Sequence, residues 1–474
     1  MIRLFRTSSL RRPSGPPLAA ALLASIAGGC AVKAPPDAAA LKELALPAVQ
    51  APAQFSGAGA APVADGWLTT FNDPALTAAV NEAIAHNADL RAGAARVEQA
   101  QLHAKLAGAK LYPAVDLLAR GGGKLSGDGS GLQGGVLTAS WELDLWGRVR
   151  YGQAASAAQA AAAALDYAYA RESIAALVAK TWILATEYGL QMEAARETIR
   201  ANEELARVAD DRARIGVGNQ ADAYSARAGV GRNRDLLRQL ELGQSDAIRA
   251  LEILLGRYPA AAATTSPQLP SFPGEVPSGL PSTLLERRPD VVAAERRVAV
   301  AFNRIHEAKA ARLPTISLTT GLSVISSELF VLKDHDNPVW NVGASLLAPI
   351  FRGGALKTQV EIRTAEQKQA IAEYAAVGLR AFGEVESALA AEINARERET
   401  ILAQVFADNQ QALTMVQTQF KIGSTDLRFV EERQLGLSSA RSALLRMQAE
   451  QRIQRVNLHL ALGGSFAVPP VTTP

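Results

Sequence analysis

The body of this chain is written twice, and that duplication constrains its fold more than any other feature. Asp89-Leu90, Arg96-Val97 and Tyr112-Pro113 return 201 positions later as Asp290-Val291, Arg297-Val298 and Leu313-Pro314. Ile215-Gly216 and Leu255-Gly256 return at an offset of 207 as Ile422-Gly423 and Leu462-Gly463. The change of offset marks a short insertion in the second copy. The copies occupy residues 67–258 and 281–464, with a Pro-rich link at 259–280 and a tail at 465–474. Whatever one copy folds into, the other must repeat.

Each copy has the same order of elements. A helix opens it, from Asp73 to about Lys110 and from Pro281 to about Arg312. Asp73-Pro74 supplies a cap followed by a first-turn proline, and Pro113 and Pro314 end these helices. Two strands per copy are expected, at about 113–124 and 135–146, then about 314–325 and 339–350. Val115, Leu117 and Ala119 oppose Asp116 and Arg120. Leu137, Ala139, Trp141, Leu143 and Leu145 oppose Thr138, Ser140, Glu142 and Asp144. Ile316, Leu318, Leu322 and Val324 oppose Thr315, Ser317, Thr319 and Ser323, and Trp340, Val342, Ala344 and Leu346 oppose Asn341, Gly343 and Ser345.

Long helical hairpins follow at 149–256 and 354–462, turning at Gly216-Val217-Gly218 and Gly423-Ser424-Thr425. Their first arms, some 60 residues each, would reach about 90 Å. Ile174, Val178, Thr181, Ala185, Tyr188 and Met192 recur at alternating spacings of 4 and 3, and Leu379, Phe382, Leu389 and Ile393 suggest a similar seam. Such spacing is that of coiled coils. Hydrophobic residues make up 48% of the chain and aromatics 5%, and much of the apolar share is Ala, which suits closely packed helices.

The leader explains the charge. All four charged residues of 1–29 are arginines (Arg3, Arg6, Arg11 and Arg12), so the net +3 belongs to that segment and the remainder is near neutral. A near-neutral body argues against nucleic-acid binding. Residues 1–29 have the basic, apolar and small-residue regions of a signal peptide, ending at Ala27-Gly28-Gly29. Arg11-Arg12 lacks the flanking residues of a twin-arginine signal. Cys30 is the only cysteine, which excludes a disulfide framework. The segment resembles a bacterial lipoprotein signal, although Ala27 stands where Leu is usual. That resemblance implies diacylglyceryl and N-acyl groups on Cys30, and Ala31 rather than Asp favours the outer membrane. Residues 30–66 are expected to be a lipid-anchored extended linker.

Strands apolar on one face and polar on the other separate oil from water. In a bilayer the permissible β structure is a closed barrel, and four strands cannot close one. Several chains must therefore pool their strands, placing Trp141, Leu143 and Leu318 toward lipid and Glu142, Asp144 and Ser317 toward a wet lumen. Trp141, Trp146 and Trp340 suit an interfacial aromatic belt better than ligand stacking.

Trp67-Leu68-Thr69-Thr70-Phe71-Asn72-Asp73-Pro74, Asn87-Ala88-Asp89-Leu90, residues Ser140 to Arg148 (SWELDLWGR), residues Gly279 to Asp290 (GLPSTLLERRPD) and Ala461-Leu462-Gly463-Gly464 together resemble the TolC-like outer-membrane efflux lipoproteins of the NodT type. The resemblance implies a mainly α fold with a membrane β-barrel, built from two tandem repeats. It implies a trimer with a twelve-stranded barrel, a periplasmic α-helical barrel and an equatorial region. It further implies a passive exit duct for small molecules, gated at its periplasmic helical tips. Its partners would be a periplasmic adaptor (membrane fusion) protein and an inner-membrane pump. The tips correspond to Ile215 to Asp222 and Ile422 to Glu431, with Asp222 and Glu431 where the family commonly has Asp. After Glu431 the family often has Ala-Gln-Arg, whereas this chain has Glu432-Arg433-Gln434. Repulsion or cross-chain pairing among Asp426, Arg428 and Glu431 is an expectation for the gate. A non-conducting coiled-coil envelope lipoprotein is the alternative; it explains the helices but not the strands.

Catalytic signatures are wanting. His86, His103, His306, His335 and His459 have no metal-protease spacing and read as helix or loop residues; His335 has Asp334 and Asp336 beside it. Gly129-Ser130-Gly131-Leu132-Gln133-Gly134 matches a dinucleotide pattern but leads into a strand, so it reads as a hairpin loop. Gly121-Gly122-Gly123-Lys124 lacks the first glycine of a phosphate loop, and no G-x-S-x-G elbow occurs. The chain is expected not to be an enzyme, to need no cofactor beyond the lipid and to hold no metal.

Overall fold

The computed structural model describes residues 32–47, 55–56, 65–120, 133–274, 281–326 and 339–467. Cys30, the glycine-rich stretches at 121–132 and the His335 cluster lie outside the described residues. In chain order the helices and strands are α1 (Ala38–Ala45), α2 (Pro74–His86), α3 (Ala88–Ala109), β1 (Ala114–Arg120), β2 (Gln133–Leu143), α4 (Arg148–Arg214), α5 (Gln220–Leu254), α6 (Pro281–Arg287), α7 (Pro289–Ala310), β3 (Thr315–Ser326), β4 (Val339–Leu347), α8 (Ala355–Lys421) and α9 (Leu427–Ala461). A 3-10 turn covers Trp67–Phe71. The chain divides into two compact units, one of residues 1–37, 101–159 and 298–370, the other of 38–100, 160–297 and 371–474.

The first unit is organised by a four-stranded antiparallel sheet in the order β1-β2-β3-β4. Its register aligns the alternation of every strand. Leu117 faces Leu137, which faces Leu322, which faces Trp340. One step away, Asp116 faces Thr138, and Glu142 faces Ser317, which faces Ser345. A slip of one residue on any strand would exchange the two faces. Thr320 is a polar residue in the middle of the apolar side; its hydroxyl donates to the Asn341 carbonyl at 2.9 Å and is thereby satisfied. Leu117, Trp340, Val342 and Leu346 are all exposed in the single chain.

The second unit is helical. Trp67, Leu68 and Phe71 pack with Leu76, Val80, Trp182, Ile183, Leu251 and Val456. Small residues let the helices approach: Ala175, Ala176 and Ala179 are fully buried in the same cluster. A Cβ on Gly243 would stand 2.6 Å from the Tyr188 ring, so α4 and α5 meet there only because the side chain is absent. Glu252 pins the Pro-rich link by accepting the backbone N–H groups of Ala261, Ala262 and Ala263 at 2.8, 2.7 and 2.9 Å. Burial alone pushes that carboxyl up, but the three donors hold it below its usual range.

Four expectations need correction. The opening helix of each copy is broken, at Asn87 and at Arg288. The Asn87 side chain accepts from Asp89 and Leu90 N–H at 3.0 and 3.1 Å, starting α3 afresh. In the second copy Pro289 disfavours helical backbone at Arg288 and opens α7. The linker 30–66 is not wholly extended, since α1 lies within it and buries Leu41. The seam on α8 runs through Ala381, Val385, Leu389, Glu392 and Ala395, while Leu379 and Ile393 are exposed. Asp144 does not line a lumen; it is consumed in capping α4, as described next. The α4 seam is as expected, with Val178, Ala185 and Met192 buried.

Candidate functional site: strand-to-helix junction, helical anchor and hairpin turns

The SWELDLWGR segment is a junction machine. Gly147 adopts φ 75°, which turns the chain from β2 into α4. Asp144 then caps the helix, its carboxylate accepting Val149 and Arg150 N–H, both at 2.9 Å, and the Arg150 guanidinium at 3.1 Å. Arg148 reaches back to Glu142 through two bonds of 3.0 and 2.6 Å. The indoles of Trp141 and Trp146 donate to the carbonyls of Leu111 and Pro314 at 2.9 and 2.6 Å. Those two tryptophans therefore fasten the strand ends to the ends of the helices that precede β1 and β3.

The GLPSTLLERRPD segment is an anchor in the helical unit. The buried Arg288 guanidinium holds Asp290 at 3.0 and 2.8 Å, Glu384 at 2.6 Å and the Ala461 carbonyl at 3.2 Å. It therefore ties α7 to α8 and to the end of α9. A second buried pair was invisible in the sequence. Arg455 on α9 and Glu392 on α8 are each 1% exposed and bond at 3.0 and 2.9 Å through Nε. Arg455 also lies 4.7 Å over the Phe272 ring and donates to the Gly274 carbonyl at 3.1 Å, so it holds the link. His459, one turn further on, is 4% exposed and stacks on Trp67. Both of its ring nitrogens lack a hydrogen-bond partner. Burial, assisted by the nearby Arg455 charge, pushes its pKa down to about 3.

The hairpin turns carry the residues expected at a gate. Gly216 and Gly423 have φ 79° and 80°, the left-handed backbone that each turn requires. Asn219 caps α5 by accepting Ala221 N–H at 2.9 Å, and Asp222 lies in that first turn. Asp426 is the N-cap residue of α9 but makes no side-chain cap bond. Glu431 accepts the Ser225 hydroxyl at 2.9 Å, joining α9 to α5, while its other oxygen is buried without a partner. Arg428 and Glu431 line one cavity of about 500 Å³ together with Ser225, Arg232 and Asn233. Asp222 and Asp426 do not line it, and among the described residues no ion pair joins Asp426, Arg428 and Glu431. Ile215, Val217, Ile422 and Phe429 are exposed apolar residues of the same region.

Among the described residues no helix is long and apolar enough to cross a membrane. A duplicated unit of paired strands and a long helical hairpin, with all four apolar strand faces on one side, defines the class of outer-membrane channels. The comparisons agree. The family profile described as outer membrane efflux protein matches residues 79–257 and 280–464, once per copy, and the chain belongs to that family. The cation efflux system protein CusC of Escherichia coli is 29% identical over 436 residues, covering 89% of this chain and 94% of its own. The pyoverdine export outer membrane protein OpmQ of Pseudomonas putida is 29% identical, covering 84% and 88%. The solved outer-membrane channel OprN superposes with a TM-score of 0.80 at 25% identity, covering 88% of this chain and 98% of its own. A structure of CusC superposes with a TM-score of 0.77 at 27% identity, covering 88% and 98%. The protein is an outer-membrane efflux channel subunit that extends into the periplasm.

Proposed function

We propose that three copies pool their strands into one twelve-stranded barrel and their hairpins into a periplasmic tube, forming a passive exit duct. The observation that carries this is the register: it stacks Val115, Leu117, Leu137, Ala139, Leu318, Leu322, Trp340, Val342 and Leu346 on one side, while β1 and β4 are each paired on one edge only among the described residues. An open edge in hydrocarbon leaves backbone groups unsatisfied, and pairing β4 of one copy with β1 of the next removes it. The alternative, a non-conducting spacer, gives these strands no task.

The tips close the duct at rest. Glu431 and Ser225 link the two hairpins within a chain, and Asp222, Asp426 and Arg428 stand at the turns where neighbouring copies would meet. A periplasmic adaptor, driven by an inner-membrane pump, opens them. Cys30, acylated, anchors the mature N-terminus in the outer membrane. The duct itself performs no catalysis and contributes an aperture and a polar lining. Relatives carry names for cation, pyoverdine and toluene efflux, so cargo follows the pump rather than this fold. Purified full-length protein in a planar bilayer tests the reading. It predicts discrete, gated conductance steps, raised in the closed state by Glu431→Gln; absence of any conductance would favour the spacer.

A further inference from the structure

Five cations at one end of the four-stranded sheet have no counter-charge. Lys105 lies near the end of α3 and Lys110 just past it, Lys309 and Arg312 flank the end of α7, and Arg352 stands between β4 and α8. All five are exposed, and among the described residues none has an ion-pair or hydrogen-bond partner for its side chain. Carboxylates at the same end of the sheet are spent on other cations: Glu142 on Arg148, Asp144 on Arg150, Glu307 on Arg304 and Glu361 on Lys357. His306 on α7 records the resulting field. Burial lowers its pKa first, and the charges of Lys309 and Lys33 lower it further.

Large apolar side chains accompany these cations. Tyr112, Leu313, Ile350 and Phe351 sit at the crossings between strand and helix and are exposed, Ile350 by 91% and Phe351 by 88%. Trp141, on the apolar face of β2, donates to the Leu111 carbonyl at 2.9 Å. The turn that carries Lys110 and Tyr112 is therefore continuous with that apolar face. Lys33, three residues after Cys30, donates its backbone N–H to the Tyr151 hydroxyl in the first turn of α4 at 2.9 Å, so the N-terminal segment joins the structure at the same end. Helix dipoles account for part of the charge pattern, because a cation is favoured at a helix C-terminus. That serves Lys110, Lys309 and Arg312. It does not serve Arg352, which precedes α8, where a cation is disfavoured and the first turn holds no acid. Nor does a dipole give the exposed apolar neighbours a task.

We propose that this end of the sheet is a collar that recognises anionic phospholipid headgroups of the periplasmic leaflet, phosphatidylglycerol being the simplest. The ammonium and guanidinium groups hold the headgroup phosphate, and basic clusters beside a membrane-spanning segment attract anionic lipid in this way. Tyr112, Leu313, Ile350 and Phe351 lie against the first carbons of the acyl chains, in line with the apolar strand face. The long helices leave the sheet at this end, which places it on the periplasmic side. A cell-wall polymer would answer the cations but leave the apolar residues wet. The inference rests on the strands lying in a lipid-facing barrel, so subunit count and bound lipid are read together.

The test is native mass spectrometry of the full-length protein, released from detergent micelles that hold equal amounts of phosphatidylglycerol and phosphatidylethanolamine with the same acyl chains. The trimer should retain phosphatidylglycerol about tenfold more often, and Lys105→Gln, Lys110→Gln, Lys309→Gln, Arg312→Gln and Arg352→Gln together should bring that preference to about twofold or less. Arg312→Gln with Arg352→Gln alone should lower it by about half, which keeps the test open if the fivefold variant does not assemble. Changing five exposed arginines of the helical unit to Gln instead (Arg91, Arg96, Arg207, Arg249 and Arg398) should leave the preference unchanged. An equal loss there overturns the proposal, since net charge alone would then decide. So does a trimer with no headgroup preference. Failure of the barrel reading looks different: it gives monomers, and the collar falls with it. Lys105, Lys110 and Lys309 should be open to acetylation in the trimer before lipid is added. Their protection overturns the proposal and assigns the cations to contacts between copies. Retention on purified peptidoglycan that the fivefold variant loses, without headgroup preference, overturns it as well.

Discussion

At the scale of single residues, the helical unit depends on charges hidden from water. Arg455 and Glu392 balance each other's buried charge. Glu392→Ala leaves a buried guanidinium uncompensated and should cost about 3–5 kcal/mol, whereas Glu392→Met combined with Arg455→Met should recover most of the loss. Denaturant titration of the three proteins checks this. His459 makes a pH prediction. Its pKa in the folded chain is about 3, against about 6.5 when unfolded. Between those values the unfolded state binds the extra proton, so stability falls as pH drops through that window, by about 2 kcal/mol at pH 5. His459→Phe should flatten this acid loss in melts at pH 7 and pH 5; an unchanged slope would contradict it. None of this was legible in sequence. Glu392 and Arg455 are distant in the chain, and His459 looks like any helical histidine until the Trp67 ring lies on it.

At the scale of elements, the strands were readable because alternation is a local signal that burial on one face enforces. Two substitutions separate the faces. Val342→Arg, on the apolar side, should weaken barrel assembly by about 2–4 kcal/mol, while Thr319→Arg, on the polar side, should be tolerated. The yield of oligomer resistant to detergent on unheated gels reads both. Helix interruptions were harder to see. Asn87 is compatible with a helix interior, and only its capping bonds reveal the break. The α8 seam was misread for a related reason: large apolar side chains attract notice, yet the buried line is mostly small, Ala381 and Ala395 among it. Asp144 was read by strand parity, but the turn at Gly147 takes it out of the strand pattern and into the cap of α4. Asp144→Ala should therefore cost roughly 1–2 kcal/mol and reduce the yield of assembled protein.

At the scale of the whole molecule, the duplication does most of the explaining. Each copy supplies two strands and one hairpin, and the family profile meets the chain once per copy. Where the copies differ in side chains, the hairpin arms keep the same lengths, Arg148–Arg214 with Ala355–Lys421 and Gln220–Leu254 with Leu427–Ala461. A duct needs several such chains, because the four strands among the described residues leave two open edges and cannot seal lipid from water. Subunit count therefore bears most directly on the account. Native mass spectrometry of the full-length protein, extracted gently from membranes, should give a single assembly of three copies. A strictly monomeric species under the same extraction would contradict it.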